Sequence, residues 1–420
     1  MMNIKKLLNE GLNRYNVFEA MASRYTLTEN PEDFGDANVQ CLNPYAVVAM
    51  LDDELKRIET NKQAEKKSDK TMKRQAKAGS LDIIDVIATQ QNIRNVQDSD
   101  IEEYIAKLAA YISLPPESIM DNTNPKMNKT DIGSNQMTVS TGLPAIVGIV
   151  WDKKNEVFKS ISTCPGAGEC VIGCYARKAF YSFDEDKTIK LARRLNLLYN
   201  NADEYEKMIL SELRPLAEKL EMSSIGDDRM KLVIRWNDAG DFFAKKYVNV
   251  AVGVTKTLIS EGYDVMSYAY TKTGKYAIEL DQNDDFVINF SSDAHTKQKK
   301  EVDDYDTDKK MKRATKVEKE LWKQFFIPKG SSWVKDIKGK AAFRGEDRNE
   351  RLKNAEGLKD VIFKKYGVSD GITRESLIYT YQLPRDLQEK NKYNIIVLPT
   401  GDSDIGAQRT DVKMSYLLAH

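Results

Sequence analysis

The chain has 420 residues, of which 41% are hydrophobic, so it is long enough and apolar enough to bury at least one large core. Its 64 acidic residues balance its 64 basic ones, so no overall field attracts nucleic acid or an anionic membrane. No stretch approaches the roughly 20 apolar residues that span a bilayer, and the amphipathic start is unlike a signal peptide, which predicts a globular protein of the cytoplasm without membrane contact.

The N-terminal third has the spacing of a helical region. Apolar residues recur at helical intervals within 42–79, and a second helical segment opens at Ser99 or Asp100 and stops at Pro115. Residues 120–137 are rich in Asn, Lys, Gly and Pro, as a linker is. We therefore predict a helical accessory region with a linker over 1–130, and a second unit over 131–420.

The second unit alternates strands with helices. Its apolar runs and helical spacings predict strands at 145–152, 156–163, within 230–243, at 263–273 and at 285–295, with helices at 184–221, 245–262 and 275–283. Such alternation implies a parallel sheet with its functional site at the carboxyl ends of the strands. The predicted fold class is α/β, a partial or distorted parallel barrel-like core with a helical N-terminal region.

Two segments of this unit depart from the alternation. Residues 297–325 mix acids with bases, which predicts a solvated helical insertion rather than a nucleic-acid surface. The last residues predict a helix, a strand at 393–401 and a closing polar loop.

The chain has four cysteines, and Cys164, Cys170 and Cys174 lie within eleven positions at the end of a predicted strand. So few cysteines in so long a chain cannot form a disulfide framework, and in a reducing compartment a tight cluster favours metal binding or redox chemistry. Gly166 and Gly168 allow the sharp turns that would aim the three thiolates at one point.

Three readings of the cluster stay open. A structural zinc site needs four ligands, usually in Cys-x2-4-Cys pairs, so the fourth would come from Cys41 or His295. An iron–sulfur cluster tolerates irregular spacing, and three cysteines leave one iron of a 4Fe-4S cluster open for a substrate or cofactor. The third reading is a set of buried thiols without a metal.

A three-cysteine loop after the first strand of an α/β unit resembles radical S-adenosylmethionine enzymes. Their pattern is Cys-x3-Cys-x2-Cys with an aromatic beside the last cysteine, whereas here the spacings are five and three and Tyr175 follows the last cysteine. The resemblance implies that S-adenosylmethionine is held at the end of the second strand, in "RWNDAGDFF". Asn237, Gly240 and Asp241 are the candidates there, and the alternative for Asp241 is a cap on a helix starting near Phe242.

Several short segments of the sequence resemble the phage gene product 88 family, more closely than the cysteine spacing resembles radical S-adenosylmethionine enzymes. The shared segments are "GLPA", "TCPGAGEC" with "CYARKAF", "AGDFF" and the acid-rich C-terminal loop before "YLLAH". The resemblance covers about 130–300 and the C-terminal segment. It implies a phage-encoded protein of the host cytoplasm, and an iron–sulfur character for the family is itself an inference.

Polar residues at or after predicted strand ends form the candidate substrate site. Strand alternation places Arg235 and Asn237 on one face with Trp236 on the other. No Ser-His-Asp set or P-loop is visible in the sequence, which disfavours hydrolase and kinase chemistry. The substrate candidates are Arg235, Tyr270, Ser291, Asp402 and Arg409.

Two functions therefore compete. The first is an iron–sulfur enzyme that uses S-adenosylmethionine on a small-molecule or nucleotide-like substrate. The second is a non-enzymatic binding protein, with the cysteine loop as a structural zinc site and the N-terminal helical region docking a host or phage protein.

Overall fold

The computed structural model describes about half of the chain, and most of the N-terminal third lies outside the described residues. The described residues are 37, 39–42, 101–122, 131, 135–168, 174, 185–224, 229–291, 293–305, 311–317, 357, 359–361, 363–364, 377–379, 393–397, 405–409 and 412–418.

A small antiparallel sheet contains β1 (Val39–Leu42), β3 (Val147–Asp152) and β4 (Val157–Ser162), in the order β1-β4-β3. β3 and β4 form a hairpin whose turn is held by Asp152, because its Oδ1 accepts hydrogen bonds from the backbone N–H groups of Lys154 (3.0 Å) and Asn155 (3.2 Å). This sheet delivers the chain into the cysteine loop.

The larger sheet has eight strands in the order β2-β5-β6-β7-β8-β11-β10-β9, and every pairing between neighbours is parallel. Its strands are β2 (Gln136–Ser140), β5 (Lys231–Trp236), β6 (Val265–Thr271), β7 (Phe286–Ser291), β8 (Arg313–Val317), β9 (Leu377–Tyr379), β10 (Tyr393–Val397) and β11 (Val412–Leu418).

Seven helices are described. They are α1 (Ile101–Ile112), α2 (Glu185–Asn200), α3 (Ala202–Ser223), α4 (Lys245–Ser260), α5 (Gly274–Asp281), α6 (Thr296–Tyr305) and α7 (Ile405–Gln408). α3 begins after Asn201 because the Asn201 side chain accepts a hydrogen bond from the Glu204 N–H and caps the helix. None of the described helices is long and apolar enough to cross a membrane.

The two faces of the parallel sheet differ in chemistry. Helices α3, α4 and α5 pack on one face against an apolar core that includes Ile234, Trp236 and Ile288. The opposite face carries a small apolar cluster around Tyr268 and Ala407, where α7 packs, and is otherwise polar. A parallel sheet covered on both sides is normally apolar on both, so the polar face is the unusual feature.

The strands and helices predicted between 145 and 295 are present, except that the helix predicted at 184–221 is divided at Asn201 into α2 and α3. The predicted first strand of the parallel sheet is wrong. The first parallel strand is β2, where no strand was predicted because "QMTVS" is short and polar at three of its positions. Its first two residues fall in the linker stretch. The predicted strands at 145–152 and 156–163 exist as β3 and β4, but they belong to the antiparallel sheet.

Two further predictions need correction. The charged segment 297–325 begins as helix α6, but it then contains β8, which pairs with β7 and β11 inside the sheet. The closing polar loop contains β11. Ala314 of β8 is buried although the residues beside it in the sequence are charged. The charge pattern therefore gave no indication of a strand that pairs with other strands on both sides.

Residues 101–122 also pack on the core. The Arg193 guanidinium of α2 lies over the Tyr111 ring of α1, 4.6 Å from its centroid. Glu212 of α3 accepts hydrogen bonds from the backbone N–H groups of Ile119 (2.7 Å) and Met120 (2.9 Å). Residues 101–122, predicted to belong to the accessory region, thus contact the helices of the second unit.

The antiparallel sheet has a buried ion pair. Lys159 and Asp152 are each 4% exposed, and their Nζ and Oδ2 atoms are 2.5 Å apart. Burial opposes the charge of both groups, but hydrogen bonds from Lys159 and Asn155 outweigh it and lower the pKa of Asp152 below its ordinary 3.8. Bonds to Asp152 and Tyr199 likewise outweigh burial and raise the pKa of Lys159.

We predict that Asp152→Asn lowers the free energy of unfolding at neutral pH by about 3–5 kcal/mol, because it leaves the buried Lys159 ammonium without its counter-ion. Since the folded pKa of Asp152 is lowered, its contribution is present above pH 3.8 and is lost as the pH falls through that folded pKa. The gap between wild type and variant should therefore narrow in acid.

Urea unfolding followed by circular dichroism, across a pH series, measures this gap. The control is Asp264→Asn, which removes a partly exposed pair with Lys231 at 3.5 Å and should cost at most about 1 kcal/mol. Equal losses in the two variants would contradict the role given to the buried pair.

Candidate functional site

The cysteine loop lies over the carboxyl ends of β6 and β7. It leaves β4 at Ser162, and the Gly166 carbonyl accepts a hydrogen bond from the backbone N–H of His295 at 2.9 Å. Ala167 forms an isolated antiparallel bridge with Ala294, just after β7. The hairpin thus brings the loop to the edge of the parallel sheet where α/β proteins place their sites, although the loop does not follow a parallel strand.

Two glycines permit this close approach. A Cβ on Gly166 would lie 2.0 Å from the carbonyl oxygen of Lys272, and one on Gly168 would lie 2.8 Å from that of Asp293. Both obstacles are backbone atoms, which cannot swing aside. The glycines expected to bend the loop therefore also let it touch the sheet.

Asp241 joins the loop to two strand ends. Its carboxylate accepts hydrogen bonds from the Thr271 hydroxyl (2.6 Å) and from the backbone N–H groups of Lys272 (2.9 Å) and Phe242 (2.7 Å). Its own N–H donates to the Thr163 carbonyl at 2.9 Å. Burial raises the pKa of Asp241 and these donors oppose that rise, as does the Lys272 charge. Asp241 does not cap a helix, since α4 begins at Lys245 with Ala244 as its cap residue.

Cys164 lies inside this arrangement. Its Sγ accepts a hydrogen bond from the Ile146 N–H at 3.3 Å. Burial raises the pKa of Cys164 to about 12, and the charges of Asp241 and Cys174 add to the rise. Such a thiol is a poor nucleophile on its own, and it would ionise only beside a cation such as a bound metal.

The remaining ligand candidates are only partly described. Cys174 is partly buried and near enough to Cys164 for its charge to act on that thiol. Cys170 and Tyr175 lie outside the described residues. Among the residues that are described, no group of three His, Cys, Asp or Glu side chains could hold a metal ion.

Asn237 and Gly240 both have positive φ, at 60° and 77°. A Cβ on Gly240 would approach the Leu143 carbonyl to 3.2 Å, so glycine lets the turns after β2 and β5 meet. The Asn237 Oδ1 accepts a hydrogen bond from the Tyr247 hydroxyl of α4 at 2.9 Å, on the helix-covered side of the sheet. The prediction that Asn237 shares a face with Arg235 is therefore wrong, because strand alternation ends at Trp236 and the next residue, Asn237, has a positive φ.

The structure brings part of the predicted substrate set together on the polar face. Arg235 is 6% exposed, and its guanidinium carbon lies 5.7 Å from the Tyr270 ring centroid. Ser291, two strands from Arg235, bonds to Asp293 at the carboxyl end of β7. Arg409 is buried directly after α7, and Asp402 lies outside the described residues.

Several polar residues of this face were not among the substrate candidates. Ser140 lies at the end of β2, a strand that was not predicted. Lys312 lies within the charged segment, and its ammonium donates to the carbonyls of Ala407 (3.0 Å) and Arg409 (2.7 Å). Gln408 lies in the polar C-terminal stretch. Ser140 could have been found from the sequence only as a serine at the end of a strand. Nothing in the sequence around Lys312 indicates that it is buried.

The family model described as gene product 88 matches residues 118–355. The chain belongs to the gene product 88 family. The match includes β2 to β8, the cysteine loop and Asp241. No curated protein and no solved structure matches the chain. Family membership confirms the resemblance in the sequence, while the iron–sulfur character remains a prediction.

We predict that Gly166→Ala lowers the free energy of unfolding by about 1–3 kcal/mol, because the new methyl group meets the Lys272 carbonyl and pushes the loop off the sheet. The control is Gly253→Ala in α4, where the nearest atom belongs to the flexible Glu206 side chain. There the helix propensity of alanine should leave stability unchanged or raised by up to about 1 kcal/mol.

Chemical denaturation of both variants measures the difference. A Gly166→Ala protein as stable as wild type would show that the loop does not need this contact.

Proposed function

We propose that this member of the gene product 88 family is an iron–sulfur enzyme similar to radical S-adenosylmethionine enzymes. Cys164, Cys170 and Cys174 would be the cluster ligands. The observation that carries the proposal is the docking of the cysteine loop on the carboxyl ends of β6 and β7, beside a polar sheet face. When bound, a 4Fe-4S cluster with one open iron would supply one-electron reduction of S-adenosylmethionine.

Two features of Cys164 support the proposed cluster. The N–H···S bond from Ile146 to Cys164 is of the kind that stabilises thiolate ligands and tunes their potential. The raised pKa of Cys164 fits a group whose negative charge is supported by bound iron rather than by water. Neither observation distinguishes iron from zinc.

The chain's own residues have separate roles in this proposal. Asp241 positions the loop, because its carboxylate is held at the end of β6 by Thr271 and Lys272 while its backbone N–H donates to the Thr163 carbonyl. Gly240 keeps the adjacent turn free of a side chain, so that the amino acid part of S-adenosylmethionine could approach the backbone, with Asn237 and Tyr175 as further candidates. Arg235 and Tyr270 would hold a small-molecule or nucleotide-like substrate below the loop.

We also propose that the parallel sheet curves into a partial barrel around its polar face. On this face Gln408 of α7 accepts a hydrogen bond from Gln136 of β2 at 2.8 Å, while the Ala407 carbonyl accepts one from Asn289 of β7 at 3.0 Å. β2 and β7 are three strand spacings apart, about 14 Å in a flat sheet. Curvature would let one short helix bond to both strands.

Anaerobic purification tests the proposal. We expect about four irons per chain and a broad absorbance at about 400 nm, both lost in Cys164→Ala and Cys170→Ala because three ligands are the minimum for the cluster. Cys41→Ser is the matched control and should keep its iron. With a reductant, the wild type should cleave S-adenosylmethionine to 5'-deoxyadenosine.

A colourless protein carrying one zinc per chain would overturn the iron–sulfur proposal. Iron bound without cleavage of S-adenosylmethionine would leave an iron–sulfur protein but refute the enzyme.

One observation favours the alternative, a structural zinc site in a non-enzymatic binding protein. His295, one of the two possible fourth ligands, donates its backbone N–H to Gly166 and so lies directly beside the cysteine loop. In that protein the N-terminal region would dock a host or phage partner.

The two alternatives respond differently to His295→Ala. A zinc site with this ligand would lose about one zinc per chain, whereas a three-cysteine iron–sulfur cluster would keep its iron. Metal analysis of the variant beside wild type decides between them, and Lys297→Ala, two residues further on, is the control for a local disturbance of α6.

A further inference from the structure

The polar face of the parallel sheet has an ordered row of side chains. Ser140, Arg235 and Tyr268 are register partners on β2, β5 and β6, so their side chains leave the same face side by side. Tyr270 lies two residues nearer the carboxyl end of β6, and its ring is edge-on to Tyr268 with the centroids 6.5 Å apart. The row ends beneath the cysteine loop.

This face is rich in buried positive charge. Arg235, Lys312 and Arg409 are 6%, 7% and 8% exposed. Among the described residues the acids beside them are Asp238, whose Oδ1 lies 3.5 Å from the Arg235 guanidinium, and Asp131, which accepts hydrogen bonds from Thr138. Buried cations and acids thus lie together on the described part of this face.

The same face has buried polar atoms without a hydrogen-bond partner among the described residues. They are the Ser140 hydroxyl, at 1% exposure, and the Oδ1 of Asn289, at 0%. The Ser415 hydroxyl of β11 is a third. Leaving such an atom unsatisfied is unfavourable, because it has lost its hydrogen bonds to water without gaining others. Ser140 neighbours Arg235 in the register, so a guanidinium and a hydroxyl donor are directed to one place.

We infer that this face binds a phosphate group of the substrate, with Arg235 and Ser140 as its donors. The planar guanidinium matches two phosphate oxygens at once, and the Ser140 hydroxyl can donate to a third. The Asn289 oxygen would accept a hydrogen bond from a hydroxyl group of the same ligand, and the partly exposed Tyr270 ring offers an aromatic surface beside it. That the phosphate belongs to a substrate rests on the proposed function, while the binding itself does not.

Titration calorimetry with inorganic phosphate tests the inference on the full chain, purified anaerobically with its iron recorded. At constant ionic strength, set with chloride, we expect saturable binding of one phosphate per chain. Amide hydrogen exchange should slow in peptides that contain Ser140 and Arg235, and not in those from α6. No saturation, slowing at other places only, or displacement of phosphate by an equal concentration of acetate would overturn the inference.

Variants locate the site. Arg235→Gln and Ser140→Ala should each weaken phosphate binding by about tenfold or more, as expected for loss of a charge-assisted hydrogen bond. Arg214→Gln makes the same charge change at an exposed pair with Glu261 and should leave the affinity unchanged. If Arg235→Gln does not fold, Ser140→Ala decides, and unchanged affinity there overturns the inference.

The phosphate result and the iron result are independent. A chain without iron that binds phosphate at Ser140 and Arg235 would refute the proposed enzyme and keep this inference. A chain with iron that does not bind phosphate would refute this inference alone.

Discussion

The hydrogen bonds of Asp241 are the interaction on which the candidate site depends. This buried carboxylate and its backbone join the end of β4, the turn after β5 and the end of β6, through Thr163, Thr271 and Lys272. A carboxylate that is 3% exposed is costly unless donors surround it. The donors to the carboxylate lie at the end of β6 and in the turn after β5. The Asp241 N–H donates to the Thr163 carbonyl after β4, so the full set of bonds forms only when both sheets are in place.

The position of the loop explains why an antiparallel hairpin comes between β2 and β5 along the chain. A loop directly after β2 would begin at one edge of the order β2-β5-β6-β7, since β2 is the edge strand among these four. The hairpin of β3 and β4 lets the chain return over β6 and β7 before the cysteines are reached. Gly166 then allows contact with the Lys272 backbone. Metal ligands placed there are held by two sheets rather than by a single turn.

The sequence predicted the strands and helices better than it predicted which strands pair with one another. Apolar runs identified β5, β6 and β7 because each is buried on at least one face, and the helical period identified α3 and α4. β2 and β8 escaped because "QMTVS" and "RATKV" are short and polar, and their strand conformation comes from pairing with other strands. Sheet membership of β3 and β4 depends on which backbone lies alongside, and periodicity does not record that. At Asn237 one residue with positive φ reversed the face that alternation predicted.

The candidate site divides in the same way. The cysteine cluster and the glycines were visible because their residue types are rare or conformationally special at that spacing. Arg235 and Tyr270 were visible only as strand-end residues, and Ser140 and Lys312 were missed because burial on a shared face arises from five strands in register. A sheet that needed only stability would carry apolar residues on both faces. The polar residues make this face less stabilising than an apolar face would be. The cysteine loop lies over the carboxyl ends of β6 and β7 in the same sheet, and this is why the proposed cluster and the proposed phosphate site are assigned to one ligand site.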